Sequence, residues 1–157
     1  MGQRVYKTYF ENVTISALQD VFSLKAGSAN GLEIHQIDLS AGGVTAPAEI
    51  RLRLKVAPAT VTQGTGGAAP IMSPSDSGDA KTATATARAN DITTQTTTTG
   101  TMKILQAHQW NVLLPWQYLP APEDRETIQA GECFILDVAA APASTVVSGT
   151  IAWREVP

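Results

Sequence analysis

The sequence predicts an all-β fold, an antiparallel β-sandwich, and three observations carry that reading. Between Glu49 and Val56, Ile50, Leu52, Leu54 and Val56 alternate with Glu49, Arg51, Arg53 and Lys55, the period of two that marks a strand with one buried and one wet face. Short apolar runs are separated throughout by Gly, Pro and Ser turns, the punctuation of a sandwich or barrel. No segment repeats its apolar residues at the spacing of an amphipathic helix.

Taken in order, Val13 and Ile15, then Val21, Phe22 and Leu24, predict strands over roughly Tyr9 to Ile15 and Asp20 to Lys25. After the break Gly27-Ser28-Ala29-Asn30-Gly31 comes Leu32 to Leu39, where Leu32 and Ile34 share one parity and Ile37 and Leu39 the other. A strand cannot bury both parities on one side, so a bulge near Gln36 is expected to swap the faces. Ala41-Gly42-Gly43 closes this strand before the alternating one at Glu49.

Residues 58–100 differ in character. Thr, Ala, Gly and Ser dominate, with Val61, Ile71, Met72 and Ile92 the larger aliphatics. So little apolar area does not by itself offset ordering entropy. A loop-rich insertion within the one domain is expected, holding one narrow strand at Lys81 to Ala89, where Ala83, Ala85 and Ala87 alternate with Thr82, Thr84 and Thr86. The threonines of Thr93 to Thr101 read either as a solvated loop or as a β-arm that adds to a neighbour's sheet edge.

Large side chains return at Met102, Ile104 and Leu105 and again from Trp110 to Leu119, enough for two core strands. Pro120 to Glu126 is a charged, proline-marked loop. Ala130-Gly131-Glu132 turns into a strand over Cys133 to Val138, and Pro142 precedes a last strand at about Thr145 to Glu155. The count is eight or nine strands. An eight-stranded double sheet of the jelly-roll kind suits that count, because it hides its edges and tolerates long loops. An immunoglobulin-like sandwich is the alternative, although its Cys…Trp…Cys signature is missing.

The 157 residues fit one domain. Charged residues make up 16%, against about 25% in an average soluble protein, which suggests a surface partly covered in an assembly. The net charge is -3 and the basic residues are scattered, so the concentrated basic stripe of a nucleic-acid binder is missing. No apolar run reaches membrane-spanning length, and Met1 to Val13 lacks the apolar core of a signal peptide. A soluble protein made in a cytoplasm is expected.

No catalytic, cofactor or metal site is expected either. Cys133 is the single cysteine, most simply a buried hydrophobe. His35 and His108 lie far apart, without the clustered histidines of a metal-binding jelly roll. Glu123 and Asp124 are adjacent and would point apart in extended chain, unlike the facing pair that hydrolyses glycosides. Asp76 and Asp79 lack the regular ligands of a calcium loop, so a turn explains them. No nucleophile elbow, phosphate loop or dinucleotide fingerprint occurs.

The run Glu11 to Ala26, with Trp110-Asn111-Val112, Trp116-Gln117-Tyr118, Pro122-Glu123-Asp124-Arg125, Ala130-Gly131-Glu132 and the closing Gly149 to Glu155, resembles small virion proteins of tailed bacteriophages, the capsid decoration or cement proteins. The similarity covers both ends and skips the middle, and none of its motifs carries chemistry. The resemblance implies a jelly-roll body at the virion's capsid surface, bound to the major capsid protein and to itself as a dimer or trimer, with no direct nucleic-acid or membrane contact. An extended N-terminal arm, Met1 to Phe10, or the Thr-rich loop would extend a neighbour's sheet. The candidate interface residues are therefore Tyr6, Tyr9 and Phe10, Thr96, Thr97 and Thr98, and Trp116, Tyr118 and Arg125. A tail-associated structural protein and a carbohydrate-binding or host-recognition module with exposed Trp116 and Tyr118 are the alternatives. Exposed rings would favour glycan binding, and buried ones cementing.

Overall fold

A computed structural model describes residues 4–15, 17–43, 47–138 and 145–157; Met1 and the turn at Pro142 fall outside them. The chain is an all-β sandwich of antiparallel strands. In chain order these are β1 Val5–Thr14, β2 Gln19–Lys25, β3 Gly31–Gly42, β4 Glu49–Ala57, β5 Val61–Thr62, β6 Met72–Pro74, β7 Thr86–Asp91, β8 Thr96–Thr97, β9 Lys103–Asn111, β10 Trp116–Tyr118, β11 Thr127–Ile128, β12 Cys133–Val138 and β13 Val146–Val156.

The first sheet runs β10-β3-β13-β1-β6, with β11 also on β3, and the second runs β7-β2-β12-β4-β9. Each connection from β1 to β4 crosses from one sheet to the other, as do those from β9 to β10 and from β12 to β13. Alternating residues meet between the layers. Tyr6 stacks on Trp153 at 4.9 Å within the first sheet, and Phe10 faces Phe22 of the second at 6.2 Å. Fully burying such a side chain contributes roughly 1.5–3 kcal/mol, so this interior is the main source of stability.

The parity switch in β3 is a real bulge. Gln36 pairs with Ala152 and Ile34 with Trp153, so His35 is the extra residue, and both Ile34 and Ile37 reach the core. A second bulge follows Phe10 in β1, where Asn12 takes φ 54° and its N–H donates to Ser148 Oγ at 3.0 Å. Asn tolerates this left-handed conformation because its short polar side chain bonds locally.

Three expectations need correction. From Val5 to Phe10 the chain is not a free arm: β1 lies between β13 and β6 in its own sheet, and the alternating Tyr6, Thr8 and Phe10 are buried. The narrow strand begins at Thr86 and ends at Asp91, although the buried parity, Ala85, Ala87 and Ala89, is the expected one. The face of β4 expected to be wet is covered toward its end, where Lys55 is 8% exposed.

The cover is the insertion. Its β6 extends the first sheet beside β1 and its β7 extends the second beside β2, while Val61 and Met102 pack with Ala57, Cys133 and Ile135 in a small second core. Polar bonds fasten it down: Lys25 Nζ donates to the Val61 carbonyl at 2.7 Å and Gln63 Nε2 to Ser23 Oγ at 3.0 Å. At its C-terminal end Thr96 and Thr97 pair with Thr62 and Val61, so the Thr-rich segment is neither a plain loop nor, at those two residues, an arm to a neighbour.

Candidate functional site

Where β9 and β10 form neighbouring edges of the two sheets, the margin of the sandwich is closed by polar and aromatic side chains rather than aliphatic ones. On β9 the residues opposite Leu54, Leu52 and Ile50 are Gln106, His108 and Trp110, so these three point toward the interior. On β10, Trp116 and Tyr118 pair with Leu39 and Ile37 and share their face. The rings of His108 and Trp116 meet edge-on at 5.3 Å, and Trp116 stacks beside Tyr118 at 6.5 Å. Gln106 Oε1 lies 3.1 Å from His108 Nε2, and the Trp110 indole donates to the Leu114 carbonyl at 2.7 Å.

Exposed aliphatics flank this plug along the chain. Ile104, Leu113, Leu114 and Leu119 are all about half exposed or more, from 48% to 65%. Single exposed aliphatics are ordinary, but several beside an unpaired strand edge make this margin the candidate contact surface.

The candidate residues therefore separate. Tyr6 and Phe10 are core residues and Tyr118 is 7% exposed, so none of the three presents its ring to a partner. Tyr9 is 51% exposed on the outer side of β1. Thr96 and Thr98 are exposed and Thr97 is partly covered by its pairing. Trp116 is half-buried. Arg125 is half-buried and lies elsewhere, donating with Arg154 to the two oxygens of Glu33, at 3.2 and 2.6 Å. Burial pushes the Glu33 carboxyl up, but the bonds from Arg154 and Arg125 outweigh it and hold it below its ordinary range. His35 sits 3.1 Å from the same carboxylate, and burial with the nearby Arg125 lowers its pKa.

Beneath the insertion is a second charged group that the sequence did not disclose. Asp91, Asp20, Asp137 and Arg53 stand in register across four strands on the outer face of the second sheet, and the three carboxylates are each 1% exposed. Asp91 is gripped by Arg88, and Asp137 by Arg53 at 2.9 and 2.8 Å and by Lys55. Asp20 receives the Gln95 backbone N–H at 3.0 Å. Burial raises its pKa to about 6, with the Gln95 N–H and Lys55 opposing. Of these contacts, the Gln95 N–H to Asp20 ties the insertion to the sheet.

The remaining titratable residues are accounted for locally. Cys133 is fully buried and burial drives its thiol to about 12, which keeps it protonated. The Asp76 carboxylate accepts the Gly78 N–H, and Asp79 accepts the Lys81 N–H and pairs with Arg4, as in a turn. Glu123 and Asp124 are exposed in a short 3-10 turn.

Comparison with protein-family models, with curated proteins and with solved structures finds no match to this chain.

Proposed function

We propose that this chain is a structural virion protein that binds the outside of a phage capsid and stabilises contacts between major capsid protein subunits. The observation that carries the reading is the open β9 edge with exposed Ile104, Leu113, Leu114 and Leu119 on and after it, a surface suited to adhesion. The strand order supports it too. Leaving aside β6, β7 and β11, the sheets read β10-β3-β13-β1 and β2-β12-β4-β9, the order of two interlocked Greek keys in a jelly roll.

A packaged genome pushes outward on a thin shell, and what resists it is many repeated contacts. Each need be only micromolar, about 8 kcal/mol, because contacts made by one oligomer act together and the second forms at high effective concentration. A bridge of this kind works through surface alone.

The glycan-binding alternative asks for flat exposed rings. Tyr118 is buried and Trp116 is set edge-on against His108, which disfavours a stacking platform. Mild dissociation of purified particles, with each released fraction identified, tests the proposal. The protein should leave with the shell surface, and particles made without it should lose heat stability. Its recovery in a tail fraction would overturn the capsid assignment in favour of a tail-associated role.

A further inference from the structure

The open edge has a specific occupant. We propose that β9 pairs antiparallel with β9 of a second copy over Ala107 to Asn111, Gln109 opposite Gln109, joining two five-stranded sheets into one. This rests on reading the chain as an assembly protein, though not on which shell it coats.

Among the described residues, the other terminal strands of the two large sheets are covered or short, β11 having two residues. Ala89 of β7 exchanges both backbone bonds with Ala68, at 3.0 and 2.9 Å, so the insertion covers that edge. β6 has three residues and ends on Pro74, and β10 has three, between Pro115 and Pro120. Short edges and prolines are the usual devices against strand addition. β9 has nine residues, no proline and one charge, Lys103.

Its geometry favours a copy of itself. Opposite β4, Gln106 pairs with Leu54 and Ile104 with Lys55, leaving Leu105 as a bulge that confines regular backbone to Gln106 through Asn111. That stretch holds no Asp, Glu, Lys or Arg, so self-pairing sets no like charges opposite each other. Ile104 lies before the stretch and Leu113 and Leu114 after it, all three exposed. Antiparallel pairing brings Ile104 of each copy toward Leu113 and Leu114 of the other, covering aliphatics at both ends of the joint. An unrelated strand would need the same features in the same order; a second copy has them by construction.

Gln109, opposite Arg51 on the outer face, is exposed and meets its own copy at the centre of the pairing, so it accepts a charge without disturbing the core. Sedimentation of the full chain across the micromolar range should show a monomer–dimer equilibrium. Gln109→Glu and Gln109→Lys should each weaken it about tenfold or more by like-charge opposition, and mixing the two variants should restore the dimer. As an independent reading, hydrogen exchange at the Ala107–Asn111 amides should slow as concentration rises. A wild-type chain that stays monomeric with concentration-independent exchange overturns the proposal. So does a dimer indifferent to both Gln109 variants. Because these readings use the chain alone, a monomer that still binds particles defeats only the pairing, and a dimer that ignores particles defeats only the capsid assignment.

Discussion

Asp20 and Asp137 face each other directly on adjacent strands β2 and β12, both 1% exposed, yet Arg53 and Lys55 bond only Asp137. The pair is asymmetric by construction. Burial raises the Asp20 pKa to about 6, whereas at Asp137 the bonds from Arg53 and Lys55 overcome burial and lower it.

That asymmetry sets opposite pH dependences. For Asp20 the folded value lies above the ordinary 3.8, so its contribution is fully present below about pH 4 and is lost as pH rises through about 6. We expect Asp20→Asn to stabilise the domain at pH 8, by up to about 3 kcal/mol, and to lose that advantage by pH 4. Urea unfolding at the two pH values measures the difference, and equal effects at both would refute it.

Asp137 behaves in the other sense, its contribution present above the ordinary carboxylate range and lost as pH falls through its depressed folded value. Asp137→Asn should cost about 3–5 kcal/mol at neutral pH, because two covered cations lose their counter-ion. Replacing Asp137, Arg53 and Lys55 together with apolar residues of similar size should cost much less than the single change.

The insertion should be separable from the sandwich beneath it. A Cβ on Gly67 would lie 1.9 Å from the Ala89 carbonyl oxygen and 2.6 Å from that of Asn90, and backbone cannot step aside as a flexible side chain can. Gly67→Ala should therefore speed hydrogen exchange and proteolysis within residues 58–100 while the amides of β1, β3 and β13 stay protected.

Trp153 donates its indole N–H to Thr8 Oγ1 at 3.2 Å, and both residues are wholly buried. Thr8→Val keeps the shape but leaves the N–H without an acceptor, an expected loss of about 1–3 kcal/mol in denaturant midpoints. Thr8→Ser should retain most of the stability, since it keeps the hydroxyl.

The strands and the β3 bulge were legible because they are written locally. Leu32 and Ile34 on one parity and Ile37 and Leu39 on the other leave the backbone a single remedy. The strand at β1 was half legible: Tyr6, Thr8 and Phe10 alternate with Lys7, Tyr9 and Glu11, a period of two that argues against a free arm. What covers Lys55 was not legible. Its lid comes from residues poor in apolar area, held by Lys25, Gln63 and Gln95 through bonds between distant parts of the chain, and no local pattern signals those. The open margin was hidden for the same reason. Trp110 to Leu119 reads as one dense block, but which strand lies at a sheet's rim is decided by topology, so Ile104, Leu113 and Leu114 carried no mark of their exposure.

The insertion has a further effect through its position. By lengthening the sheets beside β1 and β2, at the ends opposite β10 and β9, it leaves the molecule lopsided, with one sealed flank and one unsealed. A body sticky on both flanks could recruit neighbours endlessly, and the product would be a fibre. On the proposed edge pairing, a single unsealed flank is used up by one partner, so the assembly would end at a defined number of copies.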